Sequence, residues 1–141
     1  MSSASGHAVR PNMFALRVYY EDTDAGGVVY YANYLRFLER ARTECLRGLG
    51  FEQSELLARN IAFAVRSVTA EYLKPARLDD ELIVQSRIES LGRAQLVFAQ
   101  HIERGDELLL EAKIRVACFD PLRGKAQAMP KEIHERFRAL L

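Results

Sequence analysis

The sequence predicts an α+β domain in which one curved antiparallel sheet covers one long helix. Three observations carry that expectation. A central segment from about Ala32 to Leu49 has helical apolar spacing, four extended segments then follow in succession, and a fifth extended segment precedes the helix. The turns between the later segments are short, as antiparallel neighbours require. Grouped strands and grouped helices, rather than a regular βα alternation, place the chain in the α+β class.

Met1 to Asn12 is small and polar with no apolar centre, so residues 1–12 read as a disordered tail rather than a signal peptide, ahead of one domain over 13–141. Phe14 to Tyr20 alternates, with Phe14, Leu16, Val18 and Tyr20 on one side, as in a half-buried strand. In the long helix, Tyr34, Leu35, Leu38, Ala41, Cys45 and Leu49 form the apolar stripe, with Arg36, Arg40, Thr43 and Arg47 opposite. Arg40 and Glu44 stand at pairing distance along it, and Gly50 is a natural stop. A short helix over Gln53 to Arg59 ends at Asn60.

Strands are expected over Phe63–Leu73, Glu81–Ser90, Ala94–Glu103 and Leu108–Phe119. Lys74-Pro75-Ala76-Arg77, Leu91-Gly92-Arg93 and Arg104-Gly105-Asp106 separate them. Asp120-Pro121 ends the last strand, and Pro130 opens a final helix with Ile133, Phe137, Leu140 and Leu141 on its inner face. Such an open sheet has edges that soluble proteins cover or pair, so a dimer joining two sheets edge to edge is expected.

Composition narrows the function. At 141 residues and 49% apolar content the chain suits one well-cored domain, and a net charge of +1 without a basic stripe argues against a nucleic-acid partner. Cys45 and Cys118 lie inside apolar segments and match no metal-ligand spacing, so they read as buried free thiols. No run approaches the roughly 20 apolar residues of a membrane span. A soluble, cytoplasmic protein without metal or cofactor is the expectation.

The chemistry concentrates in Tyr19 to Tyr34, which places Glu21, Asp22, Asp24, Gly26 and Gly27 between a strand and the long helix, among aromatics. The Asp22-Thr23-Asp24 spacing matches the aspartyl-phosphatase pattern, but the following threonine and the parallel βα order are missing. A calcium loop begun at Asp22 would need a carboxylate where Asn33 stands. An acidic turn is the plain alternative. Favouring a site, the glycines admit a substrate close to the backbone, and the free N–H groups of the first helical turn polarise a carbonyl oxygen. A carboxylate beside such a helix end is the minimum equipment for acyl transfer.

Arg17-Val18-Tyr19-Tyr20-Glu21-Asp22-Thr23-Asp24-Ala25-Gly26-Gly27-Val28-Val29-Tyr30, with Tyr34 and Glu39-Arg40-Ala41-Arg42-Thr43-Glu44, resembles the YbgC-type acyl-CoA thioesterases associated with the Tol-Pal envelope system and akin to hydroxybenzoyl-CoA thioesterase. The resemblance continues through Glu71-Tyr72, Pro75 to Asp80, Leu96-Val97-Phe98 and Asp120-Pro121-Leu122, covering about residues 14–138. It implies a hotdog fold, dimers often paired into homotetramers, and active sites at the subunit interface. It also implies an acyl-CoA substrate of short, long or aryl chain, hydrolysed to free acid and CoA.

By position, the resemblance puts the catalytic aspartate on Asp24, as nucleophile or general base, and the carbonyl-polarising amide on Tyr31. Many YbgC-type members carry histidine where this chain has Tyr31, so a mechanism here rests on a carboxylate and an N–H. Gly26, Gly27, Val28 and Tyr30 are expected to line the substrate site. Arg93 stands where the hydroxybenzoyl-CoA enzyme is basic and is the candidate for CoA phosphates, with Lys74 and Arg77 as comparable choices. Glu21 and Asp22 either tune Asp24 or are solvated. Glu39 is read as a structural ion pair with Arg36 or Arg42. His7, His101 and His134 all lie outside the loop. The competing reading is a non-hydrolytic partner of acyl thioesters or acyl carrier protein, linked to the Tol-Pal machinery.

Overall fold

The computed structural model of the chain describes residues 12–141. Most of the expected tail, with His7, lies outside the described residues. Asn12 is tied to the sheet, its carbonyl accepting the Ser86 N–H at 2.8 Å.

Strand β1, Met13–Arg17, pairs antiparallel with β3, Glu81–Leu91, and its last rung is Arg17 opposite Glu81. The expected extension to Tyr20 fails because the partner strand ends there. Val18 bonds instead to the backbone of Asp79 and Asp80, and Tyr20–Asp22 forms one 3₁₀ turn that leaves Tyr20 82% exposed.

Helix α1 runs Tyr31–Gly48 and α2 runs Gln53–Ala58, with Asn60 closing the turn at φ +60°. The buried stripe of α1 is Tyr34, Phe37, Leu38, Ala41, Cys45 and Leu46. Phe37 and Leu46 replace the expected Leu35, which is exposed, and Leu49, which is half-buried. The stripe is rotated toward β3 and β1, against which α1 packs. Burying Phe37 contributes about 2–3 kcal/mol. Glu44 pairs with Arg47 rather than with Arg40.

Four further strands complete the antiparallel sheet: β2 (Ala62–Tyr72), β4 (Gln95–Arg104), β5 (Glu107–Asp120) and the unanticipated two-residue β6 (Lys125–Ala126). The order is β1-β3-β4-β5-β2, with β6 on β5. Register shifts at Val65/Ser67, Ile88/Ser90 and Ile102/Glu103 bend the strands, and the curled sheet wraps α1. Its inner face carries Leu82, Val84, Leu96, Phe98, Leu110 and Ile114, all buried.

Two polar groups, Ser86 and Gln100, are buried on that inner face. The Gln100 amide donates to the Leu38 carbonyl at 3.0 Å and to Ser86 Oγ at 2.9 Å, and its oxygen accepts from Arg42 at 2.9 Å. This network pins α1 to β3 and β4.

Helix α3, Lys131–Arg138, buries Ile133 and Phe137, with the Phe137 ring edge-on to Phe63 at 6.0 Å and Phe98 at 6.4 Å. Leu141, expected inside, is exposed. Among the described residues no helix is long and apolar enough to cross a membrane.

The last strand in the order, β2, is uncovered. Its register sets Val65 opposite Val116, Val68 opposite Ile114 and Tyr72 opposite Leu110, so these side chains share the inner face. Val116, Ile114 and Leu110 are buried, yet Val65, Val68 and Tyr72 are 42–46% exposed, although Tyr72 stacks against Tyr31 and Tyr34 of α1.

Candidate active site

Residues 23–29 form a small hairpin. Thr23 bridges Val29, the Asp24 N–H donates to the Val28 carbonyl at 2.9 Å, and the Gly27 N–H donates to the Asp24 carbonyl at 3.0 Å. Closing this turn requires the left-handed backbone of Gly27, at φ +79°. Asp24 Oδ1 accepts the Gly26 N–H at 2.8 Å, an Asx turn, and a Cβ on Gly26 would sit 3.3 Å from that oxygen. The glycines thus serve the turn and the seating of Asp24.

The segment 76–80 holds the hairpin in place. Val29 N–H donates to the Ala76 carbonyl at 2.9 Å, Leu78 N–H to the Gly27 carbonyl at 3.3 Å, and Val28 bridges Arg77. Asp80 clamps this segment by accepting from Arg77 N–H at 2.8 Å and from Arg104 at 2.7 Å. Burial works to raise the Asp80 carboxyl, but the Arg104 and Arg77 hydrogen bonds prevail and hold it below the usual carboxylate range. Tyr34 is core, as the apolar stripe of the helix led one to expect, and its hydroxyl accepts the Ala76 N–H at 2.9 Å.

Asp22 is buried, and its carboxylate accepts the Tyr19 N–H at 2.8 Å while its carbonyl accepts from Asn33 Nδ2 at 2.9 Å. It therefore shapes the loop. Glu21 is exposed on the 3₁₀ turn, and Asp24 is exposed at the hairpin.

The second hairpin strand runs directly into α1. Its N-cap, Tyr30, makes no side-chain cap, and the first turn holds no acidic residue. The leading N–H groups, Tyr31's among them, are left to present partial positive charge outward. Hairpin and helix end form one unit, with the exposed Asp24 carboxylate on one part and the Tyr31 amide on the other.

Around the helix end the tyrosines stack: Tyr30 to Tyr31 at 4.8 Å and Tyr31 to Tyr72 at 6.5 Å, with the Tyr72 hydroxyl donating to the Tyr31 carbonyl at 3.3 Å. Burial, with Tyr31 nearby, raises the Tyr72 hydroxyl, and a hydrogen bond with Tyr31 raises that of Tyr30. Tyr72 is a neighbour that sequence reasoning missed as a site residue. Its place on the inner face of β2 was the available signal.

Three other expectations fare differently. Arg93 sits in the β3–β4 turn, while Asp24 lies beside the other end of the 11-residue β3, a span of about 33–36 Å. One protomer does not bring them together. Lys74 is paired with Glu107, while Arg77 is the basic residue bridged to the hairpin. Glu39 makes no ion pair among the described residues, contrary to expectation, because Arg42 turns inward to Gln100.

Glu39 instead lines a groove of about 320 Å³ between α1 and the start of β2, whose far wall includes Phe63, Leu96 and Phe98. His101 lies on β4 beside Glu103 at 3.3 Å and His134 on α3, both away from the hairpin. Burial pushes the Cys45 and Cys118 thiols up to about 11, which leaves them protonated and unsuited to act as nucleophiles. Among the described residues no cluster of His, Cys, Asp or Glu is placed to hold a metal.

A curled antiparallel sheet wrapped round one long helix is the hotdog architecture, and this is a hotdog-fold thioester hydrolase. The model of the thioesterase superfamily matches residues 26–111, a stretch that includes Tyr31 and begins just after Asp24. The chain belongs to that superfamily, in company with the YbgC acyl-CoA thioesterases. It is 53% identical over 124 residues to the acyl-CoA thioester hydrolase YbgC of Escherichia coli O6:H1, covering 87% of this chain and 92% of that one. It is 46% identical to the acyl-CoA thioesterase YbgC of Haemophilus influenzae, covering 90% and 94%. Among solved structures, a probable thioesterase from Bartonella henselae superposes with a TM-score of 0.79 at 38% identity, covering 84% of this chain and 98% of that one.

Proposed function

We propose that this chain hydrolyses acyl-CoA thioesters with Asp24 as its catalytic carboxylate and the Tyr31 amide as the carbonyl-polarising donor. One observation carries the reading: an exposed, turn-seated carboxylate and an uncapped helix amino end belong to the same hairpin–helix unit. The thioester oxygen accepts from the Tyr31 N–H, which stabilises the negative charge that develops on it. Asp24 then attacks the carbonyl carbon, expelling CoA thiolate and leaving a mixed anhydride that water cleaves, or it takes the proton of an attacking water. Neither route needs an imidazole, in keeping with tyrosine at position 31. Similarity at 53% and 46% identity to an acyl-CoA thioester hydrolase and an acyl-CoA thioesterase supports acyl-CoA as the substrate.

The site is completed by a second copy of the chain. Two β2 edges pairing antiparallel about a twofold axis set the Tyr72 end of one protomer beside the Ala62 end of the other. That places Asp24 and Tyr31 of one protomer over the groove of its partner, brings the partner's Arg93 turn to the same end, and covers the exposed Val65 and Val68. Gly26, Gly27, Val28 and Tyr30 then form the near wall, and Arg93 and Arg77 supply charge toward the CoA phosphates.

Release of CoA thiol across a panel of short, long and aryl acyl-CoAs tests the proposal. Turnover on at least one class is expected. No turnover on any, together with retained binding of acyl carrier protein, would move the protein to the non-hydrolytic reading.

A further inference from the structure

The groove between α1 and β2 has two unlike walls. Its sheet side is apolar, with Phe63, Leu96, Phe98 and Val116, whereas its helix side presents Glu39, Arg42 and Thr43. Arg42 is the informative member. It is half-buried, and burial, opposed by the charge of Glu39, pulls its guanidinium below the ordinary arginine range. Among the described residues its one hydrogen bond is to Gln100 Oε1 at 2.9 Å, and Gln100 is itself fixed by Leu38 and Ser86. No fully buried side-chain nitrogen among the described residues lacks a partner, so the remaining guanidinium nitrogens of Arg42 keep some exposure, and Arg42 lines the groove.

A pinned cation with spare donors costs desolvation energy that an entirely hydrocarbon occupant would not return. Glu39, one turn earlier on the same wall, supplies an acceptor and forms no ion pair among the described residues. A neutral hydroxyl is both donor and acceptor and satisfies the two together, whereas a carboxylate would be opposed by Glu39. The groove holds roughly ten water volumes, room for a medium acyl chain with its hydroxyl.

We infer that Arg42, held by Gln100, is a specificity-determining residue that makes the enzyme prefer aliphatic acyl groups carrying a hydroxyl. This rests on the reading above, in which the groove receives the acyl group of the acyl-CoA. The test compares kcat/KM for octanoyl-CoA with 3-hydroxyoctanoyl-CoA and 8-hydroxyoctanoyl-CoA, in the wild type and in Arg42→Met and Arg42→Lys. The wild type should favour at least one hydroxylated substrate by about tenfold or more. Arg42→Met should bring that ratio to within about threefold of unity, with Arg42→Lys between them.

A wild-type ratio near unity for both isomers, with octanoyl-CoA hydrolysed, overturns the inference and leaves the thioesterase reading intact. So does a wild-type preference that Arg42→Met leaves unchanged. Absence of hydrolysis with every acyl-CoA instead removes the reading on which it rests. If Arg42→Met shows no cooperative melt, the wild-type ratios and Arg42→Lys decide the matter.

Discussion

Asp24 has a structural duty as well as the proposed chemical one, and two substitutions separate them. Its Oδ1 accepts the Gly26 N–H at 2.8 Å. Asparagine keeps that acceptor and so keeps the Asx turn, whereas alanine removes it. Losing one such hydrogen bond costs about 1 kcal/mol, or about 3–4 °C in Tm for a chain of this size. Asp24→Ala should show that loss and Asp24→Asn should melt within about 1 °C of wild type.

Catalysis should respond differently. Removing a general base or nucleophile lowers the rate by about 10²–10⁴, equivalent to about 3–5 kcal/mol of barrier, and both variants should lose that in kcat. Thermal melts and thiol-release kinetics on the same preparations supply the comparison. Should Asp24→Asn retain kcat within tenfold of wild type, Asp24 is a turn residue and the proposed chemistry is wrong.

The neighbouring glycines divide the same way: Gly27→Ala, at φ +79° with open space for its Cβ, should lose about 1 kcal/mol by thermal melt. Gly26→Ala, whose Cβ would press on Asp24 Oδ1 at 3.3 Å, should chiefly lower kcat. Asp80→Asn should cost about 1–2 kcal/mol at pH 7 through the Arg104 clamp. Because the folded carboxyl of Asp80 is depressed, that stability is present above its unfolded value of about 4 and is lost as pH falls through the folded one. The wild-type and Asp80→Asn melting temperatures should therefore converge in acid below about pH 4; an unchanged gap at low pH would refute the clamp. Val68→Lys puts a charge on the uncovered inner face of β2 and should weaken dimerisation by about 3–5 kcal/mol in sedimentation experiments, with activity lost in parallel. A fully active monomer would remove the case for a shared site.

The fold was legible where local period and burial agree. Alternation located β3, β4 and β5 to within a residue or two, and helical spacing located α1. The errors came where a distant partner decides. β1 stops at Arg17 because β3 begins at Glu81. The α1 stripe takes Phe37 and Leu46 rather than Leu35 and Leu49 because the sheet lies to one side, and spacing alone does not fix that rotation. Spacing likewise offered Arg42 to Glu39 along the helix, yet Gln100, 58 residues away, holds the guanidinium.

Asp24, Gly26, Gly27 and Tyr31 are contiguous in sequence, so the hairpin–helix unit could be read directly. Tyr72 and the groove join distant segments and could not.

The loop glycines change meaning once the hairpin is seen. Read from sequence, Gly26 and Gly27 suggested a place where substrate meets backbone; in the fold, one closes a turn and the other leaves room for a carboxylate. A catalytic carboxylate must be both fixed and reactive, and these demands conflict if both oxygens are bound. Here the Gly26 N–H takes Oδ1 alone. Rotation about the side-chain torsions is thereby restricted, while among the described residues the second oxygen has no partner. The hairpin gains its rigidity from Ala76, Arg77 and Leu78 rather than from bonds to the carboxylate. The Asp80–Arg104 clamp therefore stabilises the proposed site at a distance, and in that proposal Asp24's second oxygen is the one that meets the substrate.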